Sequence, residues 1–232
     1  RVLFRSGLAC QTGNDCKTGI CQDGVCGPPV QSCKAILEAS SGSNAEAASL
    51  EDGMYNLDLD GPGGGAAAEF FCDMSTEGGG WTRIASEDFE TETQLWSASN
   101  ARTTCGRYGM ILGGFNEFAN MENSKEYDLQ GIDHEQIRVT FDFIRIDSWD
   151  DEKAYANVAG EEIFQEQLDW QDGGARICGT ETNPEWVDSL IPVDSGSIGH
   201  TAPTLTVTIG AEVDSPPDNE SWGIDNVEVF AR

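Results

Sequence analysis

Hard-cation and sugar-hydroxyl chemistry are what the residue types of this 232-residue chain offer most readily. Asp225 stands between Trp222-Gly-Ile and Asn-Val-Glu-Val229. Counting back by twos from Val229 and Val227 places its carboxylate on the apolar face of a strand. A carboxylate there needs backbone N–H donors, an arginine, or a cation shared with other oxygen ligands, and the count leaves these open. A second acidic group, Asp147, Asp150, Asp151 and Glu152, surrounds Trp149 where another strand ends. It reads either as a solvated turn or as a calcium- or glycan-binding loop. In the latter, carboxylates orient a metal or sugar hydroxyls while Trp149 offers a flat apolar face to a pyranose ring. Trp170, Trp186 and Trp222 admit the same use, against packing in a core or rim.

Catalytic sets are thin. The two histidines, His134 and His200, lie beside no nucleophile elbow, H-E-x-x-H helix or spaced ligand partner, and read as surface residues. The 41 acidic residues could supply a glycosidase pair, but composition alone does not select one. Eight cysteines, an even count, predict disulfides and an oxidising compartment, which removes a thiol nucleophile. Zinc competes for the cluster Cys10, Cys16, Cys21 and Cys26, but its spacings lack the paired C-x-x-C knuckles of a finger or ribbon. The net charge of −28 argues against nucleic acid and anionic membrane surfaces as partners. No apolar run approaches the roughly 18 residues of a membrane span.

These residues must be positioned by a mainly β framework. The opening Arg1 to Ser6 lacks an initiator methionine and is expected to be non-native. Residues 7–30 form a cysteine-rich module too poor in apolar residues to bury a core, closed by a Gly-Pro-Pro linker. The interleaved pairing, Cys10 with Cys21 and Cys16 with Cys26, is expected, although spacing does not decide it. Its spacers look like those of EGF-like and dickkopf-like extracellular modules. Ser32 is placed to cap a short helix carrying Ile36 and Leu37, and a Gly/Ser/Ala loop runs on to Ser49. Met54 to Leu59 and Phe70 to Met74 read as a hairpin around a Gly-rich tip at 61–65. Gly78 to Gly80 supply the φ freedom for a close backbone pass.

Beyond Trp81, strands alternate with turn-rich segments, as in a β-sandwich. Ile137, Val139, Phe141 and Phe143 alternate with polar residues, and adjacent Phe143 and Ile144 suggest a bulge there. Leu205, Val207 and Ile209 alternate with threonines. Cys105 and Cys178 are expected to staple this domain. Asn219 begins an N-x-S sequon in the loop before the last strand, a glycosylation acceptor in a eukaryotic source.

Ser32 to Leu37 (SCKAIL), Tyr55 to Gly61 (YNLDLDG) and Phe70 to Thr82 (FFCDMSTEGGGWT) together resemble the opening subdomain of fibrinogen-related domains. That resemblance covers 32–83, marking an expected subdomain at 31–83, and implies a Cys33–Cys72 disulfide and an extracellular setting. It ends near Arg83, before the part of those domains that holds their ligand pocket. The remainder, 84–232, resembles galactose-binding-like jelly rolls, including MAM domains and carbohydrate-binding modules. Glu87-Asp-Phe-Glu90 with Trp96, and Trp222 to Phe230 (WGIDNVEVF), carry that likeness. It implies a structural calcium held by Glu90 and Asp225, with Asp88 nearby. Together these features describe a secreted or surface-exposed, non-catalytic module recognising a glycan or an extracellular protein. A building block of a fibre, coat or matrix, with self-assembly, is the alternative; a glycoside hydrolase is a remote one.

Overall fold

The structure, a computed structural model, describes residues 9–11, 15–18, 20–22, 24–41, 50–61, 64–91, 95–129, 131–179, 183 and 185–232. The expected non-native residues 1–6, most of the loop before Ser49, and residues 62 and 63 of the expected hairpin tip lie outside the described set. In chain order the strands are β1 (Cys21–Gln22) and β2 (Val25–Cys26), followed after helix α1 (Cys33–Ser41) by β3 (Gly53–Leu57), β4 (Ala68–Asp73) and β5 (Trp81–Glu87). Next come β6 (Arg102–Thr104), β7 (Met110–Phe118), β8 (Met121–Asp128), β9 (Gln136–Asp147), β10 (Asp150–Val158) and β11 (Glu161–Asp169). The chain ends with β12 (Ser189–Asp194), β13 (Ile198–Gly199), β14 (Thr204–Glu212) and β15 (Glu220–Ala231).

These build an antiparallel β-sandwich. The smaller sheet has the order β11-β10-β14-β8. The larger runs β12-β9-β15-β5-β4-β3, with β13 on β9, and β7 joining β15 to β6. Alternation explains the core between them. Leu205, Val207 and Ile209 of β14 and Ala154, Ala156 and Val158 of β10 face Val139, Phe141 and Phe143 of β9 and Trp222, Ile224, Val227 and Val229 of β15.

Two register expectations need correction. Phe143 and Ile144 are both buried without a bulge, since their pairing with β12 and β15 is continuous through that point. The reason is that the larger sheet is covered on both faces here. Phe143 enters the sandwich core, while Ile144 and Ile146 pack outside it with Ile111 beneath the Cys105–Cys178 disulfide. The bulge lies instead in β15, between Asp225 and Glu228, with Asn226 at φ +51°. Counting by twos from Val229 crosses it. Ile224 shares the core face with Val227, and Asp225, opposite Asp142, lies on the outer face.

The N-terminal part is woven into the same sheet. Ser32 caps α1, its Oγ accepting from the Ala35 N–H at 3.1 Å. The disulfide Cys33–Cys72 ties α1 to β4, and Ile36, Tyr55, Leu57 and Met74 pack around it. β4 pairs with β5 at Cys72–Thr82 and Asp73–Trp81, so hydrogen bonding runs uninterrupted across residue 83. Arg138 of β9 locks the join, donating to Asp73 at 3.1 Å and, through two nitrogens, to Asp194 of β12. Gly80, at φ +81°, lets α1 approach, since a Cβ there would lie 3.0 Å from the Lys34 Cα. Further disulfides link Cys10 to Cys21 and Cys16 to Cys26. This small module covers the outer edge of β3, where the Asn56 N–H donates to the Lys17 carbonyl at 2.7 Å and the Asp58 N–H to that of Val30 at 2.9 Å.

Candidate functional site

Acidic residues converge in two places. The first surrounds the β15 bulge on the outer face of the larger sheet. Asp225 is 5% exposed, and its Oδ1 accepts from the Asn226 N–H at 2.8 Å. Asn226 reaches across to Asp142, donating to its Oδ2 at 2.9 Å. Burial, and then the charges of Asp142, Asp88 and Glu90, push Asp225 up to about 6. Asp88 and Glu90 lie just past the end of β5, both exposed. Asp88 Oδ1 accepts from the Glu90 N–H at 3.2 Å, and Glu90 Oε1 from the Met110 N–H at 3.1 Å. All three residues selected from the sequence therefore act on one another. Asp142 joins them unforeseen, although its place opposite Asp225 follows once strand pairing is known.

The second cluster closes one end of the sandwich. Asp150, Glu152, Asp214 and Glu220 each place a carboxylate oxygen within 4.8 Å of the others. Among the described residues, the acidic side chains around Asp225 do not converge in this way. Glu152 follows the inward parity of Ala154, Ala156 and Val158, and Glu220 that of Trp222 and Ile224. Both are buried, 8% and 2% exposed, and they come from opposite sheets. Asp150 and Asp214 are exposed at the rim. The Asp150 N–H donates to Glu152 Oε2, and the Ser215 N–H to Glu220 Oε2 at 2.9 Å. Burial, with the neighbouring Asp150 and Glu220, drives Glu152 up to about 8.

The 147–152 segment is divided rather than presented as one loop. Trp149 is fully buried, its indole N–H donating to the Ser221 carbonyl at 2.9 Å and its ring edge-on to Phe143. It offers no face to a sugar, because it points into the apolar space between the sheets. Asp147 is also buried, 1% exposed; its N–H donates to Asp188 at 3.1 Å, and its carboxylate lies against Gly179. Only Asp150, Asp151 and Glu152 of the expected ligand set stay near the surface or the cluster, Asp151 exposed at φ +86°. Trp222 is core, while Trp170 and Trp186 are half-buried.

Asp214 and Glu220 were not singled out from the sequence. Glu220 carried a signal, standing two and four residues before the inward Trp222 and Ile224; Asp214, in a Pro-rich loop without periodicity, carried none. Asn219 is half-buried, accepting from the Ser148 hydroxyl at 2.9 Å. The two histidines are not isolated surface residues. His134 Nε2 and His200 Nδ1 lie 2.9 Å apart in stacked rings, and His134 is 8% exposed. The sulfurs of Cys10, Cys16 and Cys26 also lie within 4.8 Å of one another, but each belongs to a disulfide and offers no thiolate to zinc.

No protein-family model matches the chain, and no curated protein does. Among solved structures, dimeric latent PorU of Porphyromonas gingivalis is similar at a TM-score of 0.39 and 14% identity, over 74% of this chain and 14% of that one. The CBM22-1–GH10 modules of Clostridium thermocellum endo-1,4-β-D-xylanase 10B, complexed with xylohexaose, give 0.38 and 12%, over 65% of this chain and 28% of that one. The K3 cleaved adhesin domain of the P. gingivalis Lys-gingipain gives 0.36 and 14%, over 66% of this chain and 100% of that one. The chain thus spans well under two thirds of the first two. At these scores and identities the likenesses assign no function.

Proposed function

We propose that this chain is an extracellular, non-catalytic recognition module that binds a glycan, or else another extracellular protein, on a calcium-stabilised sandwich. In this reading residues 31–83 are a fibrinogen-like unit and 84–232 the jelly roll that carries recognition. The observation that supports it best is the kind of polar chemistry concentrated on the molecule. Carboxylates gather around Asp225 and again at Asp150, Glu152, Asp214 and Glu220, on a framework crossed by four disulfides. Such oxygen-only sets suit hard cations and sugar hydroxyls. Four disulfides also fit an oxidising compartment. No helix among the described residues is long and apolar enough to cross a membrane.

Calcium at Glu90 and Asp225, with Asp88 beside them, belongs to this proposal. A cation would stabilise the ionised form of a buried Asp225 crowded by three other acids. The test compares melting in calcium and in chelator for the wild type and for Asp225→Asn. A chelator-induced fall in melting temperature that shrinks in the variant supports the site. An identical fall in both proteins sinks it.

A further inference from the structure

We infer that Asp150, Glu152, Asp214 and Glu220 form a second hard-cation site, selective for calcium, that clamps the two sheets together at one end of the sandwich. The proposal shares no residue with the set around Asp225 and stands or falls separately. Each of the four residues offers an oxygen within 4.8 Å of the other three. None makes an ion pair with a lysine or arginine among the described residues. Lys153, adjacent in the chain, has the opposite strand parity and pairs with Glu212 at 3.3 Å.

A crowd of acids alone would be unremarkable on so acidic a protein. What sets this one apart is Glu152 Oε1, which is buried and has no hydrogen-bond partner. Glu152 lies on the inward face of β10, 92% shielded from solvent by its 8% exposure, with its other oxygen engaged by the Asp150 N–H. A buried carboxylate oxygen with no donor is unfavourable unless something positive or protic reaches it. The three acids beside it supply no cation of their own.

The donor set selects the ion. All four ligands are carboxylates, which favour hard cations over zinc or copper. The set comes from two strands and a loop with no imposed octahedron. Calcium accepts six to eight oxygens in irregular geometry, whereas magnesium demands near-ideal octahedral placement and keeps its waters. The backbone is already arranged: the 213–219 loop is held by Ser148 N–H donation to the Asn219 carbonyl at 3.2 Å and by Asn116 N–H donation to that of Pro217 at 2.9 Å. A bound ion would join Glu152 of the smaller sheet to Glu220 of the larger, and both to Asp214 in that loop.

The experiment is a calorimetric calcium titration of the chelator-treated full chain, carried out in an Asp225→Asn background so that the other cluster does not contribute. One calcium-binding event is expected to remain there. Adding Asp214→Asn, at an exposed position that leaves the core untouched, should weaken it at least about tenfold by removing one ligand charge, and Glu152→Gln should abolish it. Magnesium should bind at least about tenfold more weakly in the same titration. Absence of any calcium binding in the folded Asp225→Asn protein overturns the site, as does binding that Asp214→Asn leaves unchanged. If Glu152→Gln fails to fold, Asp214→Asn and Glu220→Gln decide the matter.

Discussion

Trp149 and Asp150 are neighbours in the chain, yet the indole is fully buried among core aromatics while the carboxylate is exposed at the rim. Truncating Trp149 to Ala should therefore cost about 3–5 kcal/mol of stability, measured by denaturant unfolding. An unchanged stability with lost ligand binding would restore the ring as a sugar platform. His200 supports a second prediction at this scale. Burial, and then His134, hold its pKa below the ordinary value, so at this ring the folded chain binds fewer protons than the unfolded one. The ring's own contribution to stability should be full above the unfolded pKa of about 6.5 and should fall as pH drops through it, opposite in sign to the contributions of Glu152 and Asp225, whose raised values favour folding as pH falls. The stability difference between His200→Gln and wild type should therefore shift in the variant's favour as pH drops from about 7 to 5; a difference that does not change with pH would count against the pair. Glu152 was legible as acidic from its position in the chain, but its buried, unpartnered oxygen was not, because burial depends on which sheet covers the strand end.

At the level of elements, β14 read correctly because Leu205, Val207 and Ile209 alternate onto one buried face, and the N-terminal hairpin because turn-forming segments bound its two strands, although Asn56 is buried between Tyr55 and Leu57. β9 and β15 were harder, the first covered on both faces and the second broken by a bulge at Asp225 to Glu228. A bulge leaves little trace in composition, yet it moves every later side chain to the other face. The outer cover of β9 depends on the Cys105–Cys178 disulfide, which closes a separation of 73 residues over Ile111, Ile144 and Ile146. Replacing both cysteines by serine should lower unfolding stability by roughly 4 kcal/mol in the chain-entropy view. No change in the denaturation midpoint would show that the cover is held by packing alone.

At the scale of the whole molecule, the cysteine-rich module lies along the edge of β3 and satisfies the N–H groups of Asn56 and Asp58. Removal of residues 1–30 should leave that edge unpaired and promote self-association, read by light scattering during size-exclusion chromatography. A truncated chain that remains monomeric at the same concentration would show that the module is not an edge cover. This placement also bears on the fibre or matrix alternative, since growth by strand addition at β3 would first require displacing the module. The mainly β class, the disulfides and the abundance of carboxylate oxygens were legible from composition and spacing. The joining of the N-terminal hairpin to the main sheet was not, because Asp73, Arg138 and Asp194 meet only through pairings distant in sequence. The central claim, recognition on a calcium-stabilised sandwich, is tested most directly by a glycan array probed with the full chain in calcium and in chelator. Retention of a defined glycan class in calcium, weakened by chelator, is the predicted result; a folded protein that binds no glycan in either condition would contradict it.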